Sequence, residues 1–357
     1  MLRRLRLLQF RCHARLEFAP VPGRNWLVGR NGQGKTSILE AAYYLGRLRS
    51  FRTGQPRELA YALEGRGTGF AVEADLEIGG KAETLAVKWD DGVRSWTVGD
   101  DRNVPLEEFW NRLPTVLFSA EDAVLVRGPG AKRQAWLDSL RSAAAPAHLV
   151  AVQRYNAVLR QRNAWLRQGS MDNALGETLT NQLLAQGRIV TEGRAEAARA
   201  AHRLAGPLLE KFFGGAEVCR FRYRPNLRAG NEGEWPRLFD SERRLQRSLI
   251  GPHRDEWEIA WKEKAVSRFG SEGEQRLAAL LLRLVEAAHL RETRGEWPLF
   301  LVDDALTPLD PERKLTWESL LPPDAQLLQA GTVPPESCPG PRDAVWSVAP
   351  GECVREP

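Results

Sequence analysis

Lysine and methionine are scarce in this sequence: by count only 8 of its 51 basic residues are Lys, and there are 2 Met in 357 residues. No CxxC pair occurs among the four cysteines, Cys12, Cys219, Cys338 and Cys353, which argues against a zinc site and a disulfide framework. Cys12 and His13 are adjacent metal-ligand types, but two neighbours without further ligands nearby are more often incidental. No apolar run approaches the roughly 20 residues of a membrane span. Even Leu277–Leu290 is broken by Arg283 and Glu286. The first ten residues interleave arginine with leucine and lack the unbroken apolar stretch of a signal peptide. The expectation is a soluble chain in a reducing cytoplasm, with no membrane partner.

What remains is an ordinary globular composition, 43% hydrophobic and 27% charged, at a length that suits two domains. The net charge of +5 is carried by arginine, through codon usage or through a need for phosphate-binding forks. Its distribution is uneven. Residues 1–57 hold 12 basic side chains against Glu17 and Glu40, and Arg127–Arg167 holds eight against Asp138 alone. Two such clusters fit a polyanionic partner, and each by itself also fits a solvated surface.

The opening residues read as a strand ending at Phe10, a short apolar strand Asn25–Val28, then a helix with Ile38, Ala42, Leu45 and Leu48 on one face. Residues 70–98 alternate as strands, with Gly79-Gly80 and Asp91-Gly92 as hairpin turns. From 121 to 212 the pattern is helical, broken at Pro146 and at Gly169-Ser170, and strand residues return near Val218–Tyr223. After Leu328 the chain is proline-rich and aperiodic, which predicts a loosely ordered tail. The expected organisation is an α/β head made of 1–120 and 213–357, interrupted by an inserted helical lobe, 121–212. Its helices of some 35 residues would reach about 50 Å.

The strongest motif is Gly29-Arg30-Asn31-Gly32-Gln33-Gly34-Lys35-Thr36, followed by Ser37, a complete phosphate-loop pattern. Glycines let backbone N–H groups turn inward onto phosphates, and the helix start adds a positive dipole end. Lys35 would reach the β- and γ-phosphates of ATP, and the Thr36 hydroxyl would bind Mg²⁺. A second acid belongs at the end of a buried strand. Pro298–Val302 followed by Asp303 and Asp304 supplies it: Asp303 for the Mg²⁺ shell, Asp304 to orient or deprotonate the attacking water.

Upstream, Ser271-Glu272-Gly273-Glu274-Gln275 opens a helix with Leu277, Leu281, Leu284 and Ala288 on one face. It resembles the signature segment of ABC-type ATPases, which faces the nucleotide of a second subunit. Ser271 and Glu274 also form a capping box on their own. In the same resemblance, Leu309-Asp310 corresponds to the loop that touches the partner, and Glu121 stands in the place of a Q-loop residue. ABC-type heads usually carry Glu where this chain has Asp304, so a slow ATPase is expected.

Residues between these motifs are more specific. Phe10-Arg11, Asn31–Thr36, Leu39-Glu40-Ala41, Ser50-Phe51-Arg52, Phe118-Ser119, Glu121-Asp122, Arg133, Leu137-Asp138, Arg160–Asn163, Gly251–Asp255 and Ser271–Arg276 occur in an order and spacing that resembles the RecF family of bacterial recombination proteins. The likeness extends to about residue 313. It implies an ABC-type head related to SMC-like repair ATPases, with a short lobe in place of their coiled coil. It further implies an ATP-bound homodimer, DNA binding at duplex and single-strand/duplex junctions, and recombination mediator proteins as partners. Arg133, Arg141, Arg160 and Arg162 are the candidate DNA contacts. His253 and Arg254 could sense phosphate or brace a turn. No histidine lies near Gln326–Thr332, where such heads place a switch residue, and the segment from Leu327 to Pro357 matches poorly.

Two other readings stay open at this level. The ATP-binding subunit of a membrane transporter would need an aromatic residue well ahead of the phosphate loop, and Trp26 lies too close to it. A GTPase would need an Asn-Lys-x-Asp motif, which does not occur.

Overall fold

The computed structural model describes residues 1–61, 68–102, 104–110, 112–168, 173–213, 219–227, 235–261, 264–303, 317–334 and 340–357. Internal contacts divide the chain into two units, Met1–Glu121 with Leu290–Pro357, and Asp122–His289.

Along the chain, β1 (Leu2–Phe10), β2 (His13–Phe18) and β3 (Arg24–Val28) lead into α1 (Lys35–Arg47). Next come β4 (Gly69–Ile78), β5 (Lys81–Asp90), β6 (Val93–Val98), the short α2 (Leu106–Phe109) and β7 (Thr115–Ser119). The second unit carries α3 (Ala123–Arg127), α4 (Gly130–Ala144), α5 (Ala147–Gln168), α6 (Asn173–Phe213), β8 (Cys219–Arg224), α7 (Trp235–Leu245), β9 (Glu256–Trp261), β10 (Lys264–Ala265) and α8 (Val266–Phe269). Helix α9 (Glu272–Arg294) spans the division, and β11 (Leu299–Asp303), β12 (Leu327–Gly331), β13 (Ala344–Ala349) and β14 (Glu352–Arg355) complete the first unit.

The first unit has two sheets. One is antiparallel, in the order β2-β1-β4-β5-β6. Its strands alternate buried and half-buried residues because one face meets the core. Positive φ at Gly79, Gly80, Asp91 and Gly92 closes the two expected hairpins. The other runs β14-β13-β3-β12-β11-β7, parallel except for the β13–β14 pair. Edge strand β7 and its neighbour β11 read Thr-Val-Leu-Phe-Ser and Leu-Phe-Leu-Val-Asp, nearly continuous apolar runs, because both faces are covered. Helix α1 touches strands of both sheets and buries nearly every side chain, joining Leu5, Leu7, Ile38, Leu45, Leu301 and Leu328 in one core.

The tail expectation is corrected here. Leu327–Gly331 is a central strand between β11 and β3, and Ala344–Ala349 pairs with the other edge of β3. β12 is a short, largely buried run without clean alternation, and β13, which does alternate, is only six residues long and follows a proline-rich stretch that hid it.

The second unit is built on α4 and α6, which pack against the β10-β9-β8 sheet. Trp136 stacks on Trp257 and Phe221, with ring centroids 5.0 and 6.4 Å apart. Ala278, Leu281 and Val285 of α9 join the same core. This core explains why the second unit continues to His289 rather than ending at 212, the boundary expected from the helical pattern. The arm helices are also unequal: α5 has 22 residues and α6 has 41, about 33 and 62 Å. Pro146 separates α4 from α5, whereas α6 continues past the arm to the sheet.

Candidate functional site

The phosphate loop joins β3 to α1, at the carboxyl ends of the parallel strands. Gly34 caps α1 at φ 97°, with no side-chain cap and no acid in the first turn. The helix therefore presents N–H groups and an uncompensated positive end to the cleft. A β-carbon at Gly34 would lie 2.3 Å from Nε2 of His13 and 2.7 Å from Sγ of Cys12, so only glycine fits. Gly29 is equally constrained, since its β-carbon would fall 2.7 Å from the Val348 carbonyl on β13. Gly32 adopts φ 83°.

His13 is the brace beneath this loop. Gly351 N–H donates to its Nδ1 at 3.0 Å, which leaves Nε2–H to donate to the Gly34 carbonyl at 3.2 Å. Burial holds its pKa below the usual imidazole value, against the opposing Gly34 hydrogen bond. It is a loop support rather than half of a Cys12–His13 metal site. Among the described residues no group of three or more His, Cys, Asp or Glu could hold a metal.

Lys35 donates from Nζ to the carbonyls of Gly29 and Arg30, at 2.6 and 2.9 Å. Thr36 donates from Oγ1 to Oδ1 of Asp303 at 2.8 Å, joining positions 267 residues apart. The pair consists of hard oxygen atoms at the mouth of a buried strand. That donor set fits an ion such as Mg²⁺, which takes few protein ligands and completes its shell with water and phosphate oxygens. A cleft of about 790 Å³ opens over these groups, lined by Asn31, Lys35, Thr36 and Asp303 and by Arg11 and Arg52 on its wall. Ser37 is buried beside Cys12, with Sγ and Oγ 3.8 Å apart. Arg30 is exposed and Gln33 half-buried on the loop.

The wall residues come from segments that spacing alone could not interpret. Glu40, wholly buried on α1, accepts a bidentate pair from Arg11 at 2.8 and 2.7 Å. It also accepts from the Ser50 hydroxyl and from Arg52. The fragments Phe10-Arg11, Leu39-Glu40-Ala41 and Ser50-Phe51-Arg52 thus meet around one carboxylate, which fixes two guanidinium groups beside the cleft.

Of the acidic-strand residues, Asp303 is seen and Asp304 lies outside the described residues, as does Asp310. Register pairs Ser119 of β7 with Asp303, and Glu121 beyond it is exposed.

On the second unit, Ser271 and Glu274 form the capping box. Ser271 N–H and Oγ both reach Glu274 Oε2, at 2.7 and 2.9 Å, and Glu274 N–H reaches Ser271 Oγ at 3.3 Å. Ser271, Gly273 and Glu274 are all exposed, and nothing lies within 4 Å of a β-carbon built on Gly273. Among the described residues no packing demands this glycine.

The four arginines proposed for DNA divide sharply. Arg162 is 0% exposed; it donates to Glu242 at 2.6 Å, Ser248 at 2.8 Å and Thr180 at 3.0 Å. It is a core ion-pair residue and not a surface contact. Arg133 donates to the carbonyls of Val126 and Gly128, and Arg141 pairs with Glu196. Arg160 is exposed on α5. Two residues missed in the sequence are exposed on the same helix: Arg167, seven residues on, faces the same way as Arg160, and Arg154, six residues before it, lies about a third of a turn round. The signal was present, since α5 contains no acidic residue.

Gly251–Asp255 is a bracing turn. Tyr155 donates to Nδ1 of His253 at 2.5 Å, while Nε2–H of His253 reaches the Ser248 carbonyl at 3.1 Å. Burial lowers the His253 pKa to about 4. Asp255 accepts from Tyr223, Arg194 and the Asn226 N–H. Arg194 also clamps Asp138 with two bonds of 2.8 Å. Although burial opposes ionisation, that clamp and the His148 hydrogen bond hold the Asp138 carboxyl below the usual range. Arg254 is exposed.

No protein-family model matches the chain. Curated proteins do. The sequence is 32% identical over 332 residues to the DNA replication and repair protein RecF of Synechococcus sp. (strain JA-3-3Ab), covering 88% of this chain and 86% of that protein. It is 31% identical over 336 residues to RecF of Exiguobacterium sp. (strain ATCC BAA-1283 / AT1b), covering 88% and 87%. Among solved structures, the recombination mediator protein RecF-ATP of the RecFOR pathway superposes with a TM-score of 0.90 at 22% identity, over 100% of this chain and 97% of that one. An SmcHead bound to the C-winged helix domain of ScpA gives 0.53 at 14% identity, over 99% and 98%. The α/β fold is therefore that of the ABC-type ATPase heads.

Proposed function

Because the chain belongs to the RecF family of DNA replication and repair proteins, we propose that it is an ATP-gated recombination mediator that dimerises on ATP and binds gapped or junction DNA. This family membership displaces the transporter-subunit alternative. One observation carries the nucleotide half: the Thr36–Asp303 hydrogen bond, which brings the phosphate loop and the acidic strand together at the cleft floor.

In this reading Lys35 exchanges the Gly29 and Arg30 carbonyls for phosphate oxygens. The α1 N-terminus and the loop N–H groups hold the remaining phosphate charge. Thr36 and Asp303 would hold Mg²⁺, which would supply positive charge against the charge that develops on the phosphates. Asp304 orients the attacking water; its side chain is one methylene shorter than the usual Glu, which suits slow hydrolysis. Ser271, Gly273 and Glu274 of a second copy close the site, with Asp310 in the adjoining loop. Two features support that step: the signature segment is exposed, and among the described residues nothing packs against its glycine.

The DNA half rests on the acid-free helix α5, whose exposed Arg154, Arg160 and Arg167 are spread over about 20 Å of its length. Exposed arginines without neighbouring acids fit sequence-independent contact with a phosphate backbone. Mediator proteins as partners and a cytoplasmic location belong to the same proposal, with family membership as their support.

The test is binding to duplex, single-strand and gapped DNA with and without ATP, alongside sedimentation, for wild type, Lys35→Met and Asp304→Asn. We expect ATP to raise mass and DNA affinity in wild type. Lys35→Met should lose both effects, and Asp304→Asn should retain them with hydrolysis abolished. An unchanged mass with ATP would refute the gating step.

A further inference from the structure

Single exposed apolar side chains are ordinary on a protein surface, so what marks one out is its place beside a functional motif. Three large ones on this chain are at least 70% exposed among the described residues: Val93 at 70%, Phe269 at 70% and Val333 at 72%. Val93 sits at the β5–β6 hairpin, away from the motifs. The other two flank the two halves of the nucleotide site.

Phe269 is the last residue of α8, two positions before Ser271. Its setting is fixed rather than loose. The Gly270 N–H bonds the Val266 carbonyl at 3.0 Å, Gln275 donates to the Gly270 carbonyl at 3.0 Å, and the Ser271–Glu274 box follows. A β-carbon at Gly270 would lie 2.7 Å from the Val266 carbonyl, so the chain turns tightly and leaves the ring outside.

Val333 lies two residues beyond β12. That strand ends between Val28, where the phosphate loop begins, and Asp303. Ala330, three residues earlier, lines the cleft. All described residues lining the cleft belong to the first unit, whereas Phe269 and Ser271 belong to the second.

We propose that Phe269 is the apolar anchor of the ATP-dependent dimer, packing against Val333 of a second copy at the rim of the shared nucleotide site. The inference rests on the dimeric reading above and adds the side chains that give it affinity. In the dimeric reading Ser271 and Gly273 face the phosphate loop of a second copy, and the rim of that shared site then includes Phe269, two residues from Ser271, and Val333, two residues beyond a strand that ends beside the loop. Each apolar group thereby acquires a partner of its own kind, twice per dimer. Aromatic anchors of this type dominate interface affinity.

The experiment is analytical ultracentrifugation with ATP on Asp304→Asn protein, which retains nucleotide, carrying Phe269→Ala, Val333→Ala or both. Titration of each variant with a fluorescent ATP analogue at monomeric concentration reports the cleft separately. Because the contact occurs twice, a tenfold loss per contact becomes about 100-fold in dimer Kd. We expect that weakening for Phe269→Ala, a smaller one for Val333→Ala, and a double variant little worse than Phe269→Ala, with nucleotide affinity unchanged. Strictly additive losses would overturn the pairing. A Phe269→Ala dimer as tight as its parent would overturn the anchor while the ATP dimer stands. Absence of any ATP-driven association in the parent would overturn both. A variant that loses DNA affinity but dimerises normally would assign Phe269 to nucleic acid instead.

Discussion

Arg160 and Arg162 stand two positions apart on α5, and exchanging either for alanine should give opposite results. Arg162 is enclosed with Glu242, itself 1% exposed, at 2.6 Å. Removing the guanidinium leaves a buried carboxylate whose described partner is then the Leu249 N–H. It also strips a donor from Ser248 and from Thr180. Breaking one side of such a pair costs about 3–5 kcal/mol. For a unit of this size that corresponds to a fall of roughly 10 °C in Tm. The Arg160 side chain is exposed, and its removal should cost less than about 0.5 kcal/mol. The two variants are compared by differential scanning calorimetry and by fluorescence anisotropy on duplex DNA from low to moderate salt. Arg162→Ala should unfold early and, below its Tm, keep the wild-type salt slope. Arg160→Ala should keep its Tm, and the slope of log K against log[salt] should flatten by about 0.9 for the lost phosphate contact. A paired Arg162→Met, Glu242→Leu variant should recover most of the stability, because removing both charges removes the penalty. The reasoning fails if Arg162→Ala melts like wild type, or if its slope is the one that flattens.

Other expectations follow from the same geometry. Gly34→Ala should lower nucleotide affinity at least tenfold in a fluorescent-analogue titration, since its methyl group collides with His13 and φ of 97° strains any L-residue; wild-type affinity would contradict this. Acid should destabilise the second unit earlier than carboxylate titration would. His253 binds its proton near pH 4 in the folded state but near 6.5 when unfolded, so protons favour unfolding across that interval. Stability should be flat above about pH 6.5 and then fall by up to about 3 kcal/mol toward pH 4. His253→Gln should flatten that slope in urea titrations at successive pH values.

The phosphate loop, the acidic strand and the hairpins were legible because each depends on local rules: glycine at positive φ, apolar runs ending at a charge, paired turn residues. The division of the chain was not, because the allegiance of β8, β9 and α9 is decided by Trp136, Trp257 and Leu281 meeting in space. The arginines show the same limit. Composition marked α5 as basic, but nothing local distinguishes Arg162, buried against a residue 80 positions away, from Arg160. His13 was read as an incidental neighbour of Cys12, since its partner Gly351 lies 338 positions distant.

That distance bears on how the protein comes to life on the ribosome. The strand that launches the phosphate loop is synthesised long before β12 and β13, which flank it. The carbonyl of Val348 that borders Gly29 and the N–H of Gly351 that orients His13 arrive later still. Until those strands emerge, a nascent chain carries the phosphate loop with only part of the sheet that shapes it. Such long-range closure makes for slow folding. It also delays nucleotide capture until the late strands have emerged, so a ribosome-bound fragment cannot assemble the complete loop setting.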